Sequence, residues 1–180
     1  MTVEVRRVDL AEVRRVIAGI DRSEHVDVQY EVVDGELRER PVQMADIPAW
    51  YPEGDGEFTV ESYVREQERL VRAGAAMFAA FVGDDVGGAA TVDPTFEPPM
   101  AWFAFLHVSR PHRRSGVASA LWTATADLAR ASGATSMYVS AIPTGSALGF
   151  YLSRGCRLAD PPHPELFAHE PEDIHLVCDL

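Results

Sequence analysis

The sequence predicts a mixed α/β fold, a single sheet with helices on its faces. Two observations carry this. Strand-length apolar segments are interleaved with segments whose apolar residues recur at helical spacing, in the order strand, helix, helix, three strands, helix, strand, helix and two strands. The chain has 180 residues, 47% of them hydrophobic, which suits one compact domain with a sizeable core.

Thr2–Val8 alternates between apolar and charged residues and reads as a strand. Asp9 is placed to cap a helix in which Leu10, Val13, Val16, Ile17 and Ile20 share a face. Val26, Val28, Tyr30 and Val32 then alternate up to Asp34-Gly35, a pair suited to the two positive-φ positions of a type I′ turn. A hairpin over Val26–Val42 follows. Met44–Glu57 reads as loop, rich in Pro, Gly and acid, with an aromatic pair at Trp50-Tyr51. Thr59 opens a second helix that ends near Gly74, and Ala75–Val82 and Val86–Val92 are strands joined by Gly83-Asp84-Asp85. Met100–Val108 is a continuous apolar run, as in a central strand covered on both sides.

Ser115–Ser132 is the clearest helix, with Val117, Leu121, Ala124, Leu128 and Ala131 as its apolar stripe and Gly133 as its stop. Thr135–Ile142 reads as a strand, Thr144–Arg154 as a short helix broken by Gly155, and Cys156–Leu158 as a strand. Pro161–Pro164 reads as a rigid linker and Asp173–Leu180 as the closing strand. The whole of 1–180 reads as one domain with an insert at about 21–58.

Sixteen basic residues against twenty-eight acidic ones leave a net charge of -12. Such a surface repels nucleic acid and anionic membranes and attracts cations, although the same acidity also serves solubility. No run is apolar enough for a membrane span and no basic-then-apolar leader is visible. Two cysteines, Cys156 and Cys178, make no disulfide framework; buried free thiols and a cytoplasmic location are expected. No metal site is expected, and a homodimer is left open.

Within this acidic chain, residues 98–126 contain no acid but include Arg110, His112, Arg113 and Arg114. There a buried strand runs through a short basic loop into a helix. The first amides of a helix lack internal acceptors and carry partial positive charge. Ser115, Gly116 and Ala118 are small enough to let an anion reach that backbone, so a diphosphate site is predicted. Neither a Walker spacing nor a Gly-x-Gly-x-x-Gly fingerprint is present.

Arg113-x-x-Gly116-x-Ala118 resembles the coenzyme A pyrophosphate loop of the GNAT superfamily of N-acetyltransferases. Leu106-His107-Val108 is similar to the end of that family's fourth strand, where a bulge exposes backbone to the pantetheine arm. Thr144 to Cys156 resembles the family's Asn-x-x-Ala-x-x-Phe-Tyr-x-x-x-Gly-Phe segment, with Ala147, Phe150, Tyr151 and Gly155 in register. Thr144 stands where Asn is usual and Cys156 where Phe is usual.

The resemblance implies a mixed, mostly antiparallel sheet with helices on both faces, and acetyl-CoA as cosubstrate. It implies contacts to that cosubstrate from Leu106, Val108, Arg113, Arg114, Ser115, Gly116, Val117, Ala118, Thr144, Ala147, Phe150 and Tyr151. Tyr151 is implied as the acid that protonates the departing thiolate, and a backbone amide near Val108 as the oxyanion donor. Read from the Thr144–Cys156 motif alone, Tyr151 is a core aromatic beside Phe150, covering the underside of the helix; the predicted diphosphate site about 30 residues earlier turns the reading toward catalysis.

The implied reaction is direct attack by a neutral primary amine of a small molecule or peptide, which demands a proton acceptor. Met100–Val108 contains no Asp or Glu. Glu97 and His107 are the local substitutes, and Glu31 or Asp46 reached through water is an equal alternative; the base stays unassigned. Tyr30, Trp50 and Tyr51, among acids, are candidates for an aromatic pocket for a cation, or for glue between hairpin and domain. A non-catalytic acyl-CoA-binding module is the competing functional class.

Overall fold

The structure is a computed structural model, and it describes residues 2–51, 56 and 58–180. Residues 52–55 and 57 of the loop expected over 44–57 lie outside the described residues, as does Met1.

The elements follow in chain order as β1 (Val3–Arg7), α1 (Val13–Ala18), β2 (Glu24–His25), β3 (Gln29–Val33), β4 (Glu36–Arg40) and β5 (Asp46–Ile47). Then come α2 (Val60–Arg72), β6 (Ala76–Val82), β7 (Asp85–Glu97), β8 (Met100–Val108) and α3 (Val117–Ala131). The chain closes with β9 (Ser136–Ala141), α4 (Gly145–Leu152), β10 (Arg157–Leu158), α5 (Pro164–His169) and β11 (Ile174–Asp179). Seven strands form the main sheet in the order β1-β6-β7-β8-β9-β11-β10. All its pairings are antiparallel except β8 with β9, which run parallel.

Each sheet face buries its own cluster. On one face Ala101, Phe103, Val139 and Leu176 pack with Leu121 and Trp122 of α3 and Leu148 and Tyr151 of α4. On the other, Met77, Ala79, Ala89 and Phe105 pack with Val13, Val16 and Ile17 of α1 and Val64 of α2. Burial of side chains of this size stabilises by roughly 1.5–3 kcal/mol each, relative to exposure.

Gly87 and Gly88 let α3 come down onto the sheet. A Cβ on Gly88 would lie 2.6 Å from the His107 carbonyl oxygen and 3.1 Å from Val117 Cγ1, so no larger residue fits there without displacing backbone. The start of α3 is thereby held against the end of β8.

Most predicted elements form as read. Asp34 and Gly35 take φ of 54° and 78°, the two positive values that the hairpin turn requires. The stripe of α3 differs. Its buried residues are Val117, Leu121, Trp122, Thr125, Ala126 and Ala129, while Ala124 and Leu128 are half-buried and Ala131 is exposed. The helix buries two neighbouring rows rather than one, which brings Trp122 and Thr125 inward; the Thr125 hydroxyl is satisfied by the Leu121 and Trp122 carbonyls.

The loop around residue 46 is pinned by the short pair β2–β5. The expected proline linker runs straight into α5, with Pro164 at its first position, where a missing N–H costs nothing.

Cys156 and Cys178 are not free thiols; they form a disulfide. The reason is register. Arg157 opposes Val177 in the β10–β11 pair, so the preceding cysteine stands opposite Cys178. Among the described residues no helix is long and apolar enough to cross a membrane.

Candidate active site

The parallel pair is where the sheet opens. β8 and β9 are in register from Met100↔Ser136 to Phe103↔Val139 and no further. The rest of β8 stays paired with β7, but the β7–β8 register shifts between Thr91↔Phe105 and Val92↔Phe103, so Ala104 is an extra residue. A bulge there bends the strand and raises its twist, carrying Ala104–Val108 away from β9. The resemblance places the bulge at Leu106-His107-Val108; in the structure it lies upstream of them, at Ala104. Between the parted strands is an edge of unpaired backbone, able to take a linear amide-bearing arm as an added strand.

At the mouth of this wedge stands the start of α3. Gly116 takes φ of 90° at the N-cap and no side chain caps the helix. Nothing would lie within 4 Å of a Cβ at Gly116, so the space beside this residue is open. Helix geometry leaves its first N–H groups without internal acceptors, and the macrodipole adds positive potential. Arg114, exposed at φ of 61°, brings a charge beside them.

Arg113 is a brace. Its Nε donates to the Val108 carbonyl at 3.3 Å, Nη2 donates to the Arg22 carbonyl at 3.0 Å, and Nη1 pairs with Glu24 at 3.3 Å. Glu24 in turn accepts a short hydrogen bond from the Ser146 hydroxyl on α4. One carboxylate thus joins the loop before α3 to the first turn of α4, across the two sides of the wedge. Neither Glu24 nor Arg154 was found by motif. Arg154 stacks 4.9 Å over the Phe150 ring and donates to the Ser119 hydroxyl in the first turn of α3. Only the fold brings these together.

Tyr151 packs edge-on to Phe103 at 6.2 Å and to Trp122 at 6.1 Å between ring centroids. Phe103 is the last β8 residue still in register with β9, so the phenol belongs to the apex of the wedge. Burial pushes its pKa up, with the charge of Asp173 adding to the rise. Thr144 caps α4, accepting from the Ala147 amide, and lies 3.2 Å from the Ser146 hydroxyl. The loop it belongs to is stitched to the hairpin: Tyr30 N–H donates to the Pro143 carbonyl at 3.0 Å, and Gly145 N–H to Val28 at 3.0 Å. The insert is therefore a wall of the site.

Tyr30 lines a cavity beside this wall, Trp50 is buried against Tyr63 and His107, and Tyr51 is exposed on the surface. Glu97 pairs with His163 Nε2 at 3.0 Å and sits opposite Met100, at the end of β8 that remains closed. His107 stands among Trp50, Tyr63 and Phe105, its pKa pushed down to about 3 by burial and by Arg22 and Arg113. Such a ring stays neutral near pH 7 and is a poor collector of an ammonium proton. Asp46 is 2.8 Å from His25 Nδ1 and is engaged there.

The site thus combines a parallel pair that parts around a bulge, an uncapped helix start at its mouth and a tyrosine packed on Phe103, the last paired residue of β8. The model of the acetyltransferase (GNAT) family matches residues 42–156, and the chain belongs to that family. Among curated protein sequences none matches.

Solved structures share the fold at low identity. A nourseothricin acetyltransferase superposes with a TM-score of 0.70 at 17% identity, covering 99% of both chains. A Bacillus anthracis protein provisionally assigned as streptothricin acetyltransferase, solved with acetyl coenzyme A, gives 0.71 at 13% identity over 100% of this chain and 99% of its own. PaiA N-acetyltransferase from Thermoplasma acidophilum, solved with coenzyme A, gives 0.62 at 13% over 100% of both.

Proposed function

We propose that this acetyltransferase moves an acetyl group from acetyl-CoA to a primary amine by direct attack. The reading rests on one juxtaposition: the uncapped start of α3 lies at the open end of the β8–β9 wedge and Tyr151 lies at its closed end. Backbone amides of Ser115, Gly116, Val117 and Ala118, with Arg114, suit the diphosphate. Arg113 fixes the loop that presents them. The unpaired edge at Leu106 and Val108, with Thr144, Ala147 and Phe150 opposite, suits the amide-bearing arm. Bound there, the thioester supplies an activated acyl carbon. An amide of the β8 edge near Val108 polarises its oxygen, and Tyr151, protonated because it is buried, donates to the departing sulfur.

Thermal unfolding with acetyl-CoA, free CoA and ATP tests the cosubstrate. Acetyl-CoA at 100 times its Kd stabilises by about 2.7 kcal/mol. No shift with either thiol compound, or a larger one with ATP, overturns the reading. Release of free thiol with a panel of amines then tests turnover, with nourseothricin and streptothricin among the first acceptors because two similar structures carry those names.

A further inference from the structure

We propose that the cavity between the β3–β4 hairpin and the turn leading into β11 is the acceptor site, that it takes a cationic primary amine, and that Asp173 removes the amine's proton. The proposal rests on the acetyl-transfer reading above and names the acceptor class and the missing base.

The cavity measures about 420 Å³, enough for a small molecule or one long side chain, and Tyr30, Glu31, Asp160, Glu172, Asp173 and His175 are among its lining residues. Its position is set by elements already described: β3 is stitched to the loop before α4, and β11 is paired with β9 through Ile174↔Ala141. Ala141 is two residues beyond Val139, the last β9 residue paired with β8, so Asp173, just before Ile174, stands beside the end of β9 that borders the wedge.

The charges around it are not balanced by the protein. Arg40, the one basic guanidinium lining the cavity, is 3.8 Å from Glu172. His175 is committed on both sides: Nε2 donates to the Glu170 carbonyl at 2.9 Å, which leaves Nδ1 to accept from the Tyr138 hydroxyl at 2.9 Å. Glu31 and Asp160 add further negative charge from β3 and from the segment after β10.

No hydrogen bond or ion pair among the described residues reaches the Asp173 carboxyl. Burial, with Glu170 and Glu172 beside it on the same turn, raises its pKa to about 7. A carboxylate partly withdrawn from water without a partner is costly, and an ammonium group beside it offsets that cost. The Tyr30 ring offers an aromatic surface for the same cation. A base that titrates near neutrality is well matched to take a proton from an amine.

In the step itself, Asp173 takes one proton from the ammonium and releases it to solvent. The amine lone pair forms the new N–C bond to the acyl carbon and the C–S bond breaks. The departing sulfur takes the Tyr151 proton, and the surplus proton on nitrogen restores the phenol. The products are the amide and free thiol.

Two measurements decide the matter. In the first, the complex with CoA is titrated by calorimetry with linear diamines, lysine-containing dipeptides, and neutral or carboxylate-bearing amines of equal size. The cationic compounds bind, and Asp173→Asn weakens them at least tenfold while leaving acetyl-CoA affinity unchanged. Binding by none of the cations, or equal binding to D173N, overturns the acceptor assignment although CoA still binds. Loss of CoA binding by the wild type instead marks failure of the acetyl-transfer reading.

In the second measurement, kcat/KM for the tightest-binding amine is followed against pH. The wild-type profile rises through pH 7. D173N lowers kcat/KM at least tenfold at pH 7.5 and removes that rise, and Asp173→Glu restores part of both. An unchanged profile in D173N overturns the role as base.

Discussion

Tyr151 carries a phenol that burial keeps protonated, and its neighbours Phe103 and Trp122 hold the ring by its edges. Tyr151→Phe keeps those contacts and removes only the proton donor. Turnover falls roughly 100-fold with acetyl-CoA affinity retained, as steady-state kinetics and calorimetry will register. Asp173 gives a second, independent observable. Its pKa is raised in the fold, so the folded chain binds more protons than the unfolded chain between about pH 4 and 7. Its contribution is therefore fully present below pH 4 and is lost as pH rises through 7. Asp173→Asn escapes that loss, and its melting temperature relative to wild type rises between pH 5 and pH 8. A constant difference across that range contradicts the assignment.

Among the elements, those specified by short-range pattern were legible: the Asp34-Gly35 turn, the strand–loop–helix at Val108–Val117 and the α4 segment ending at Gly155 each carry their own local signal. What depends on distant pairing was not. The Ala104 bulge is a property of β7 and β8 together, and Glu24 joins Arg113 to Ser146 through positions far apart in the chain. In sequence Arg113 is a charge for the ligand, because nothing nearby shows the Val108 and Arg22 carbonyls that it serves. Asp173 carries no signal of its own, because an acid in a proline-rich, acidic turn looks like solvated surface until the hairpin is set against it. The packing of α3 on β7 yields its own prediction. Gly88→Ala presses a methyl onto the His107 carbonyl and costs roughly 1–3 kcal/mol in denaturant unfolding, whereas a swap at exposed Gly149, which has open space, lacks that clash.

For the molecule as a whole, the Cys156–Cys178 bridge fastens the segment between α4 and β10 to β11, so it ties the stretch following Tyr151 to the strand following Asp173. The Cys156→Ser, Cys178→Ser double variant loses about 2–4 kcal/mol of stability, measured against wild type under non-reducing conditions. The net charge of -12 acts at longer range, and kcat/KM for a cationic acceptor falls as salt is raised from 50 to about 500 mM while that for a neutral amine changes little. The parting of β8 from β9 has a kinetic corollary. On the proposed reading, a gap flanked by the α3 start at its rim and by the hairpin at its side gives each reactant its own doorway, and both cysteines are tied in the disulfide, so neither offers a thiol to store the acyl group between visits. Direct attack of this kind requires both reactants to be resident together, and the expected outcome is double-reciprocal plots that converge, at several fixed concentrations of one partner, instead of running parallel.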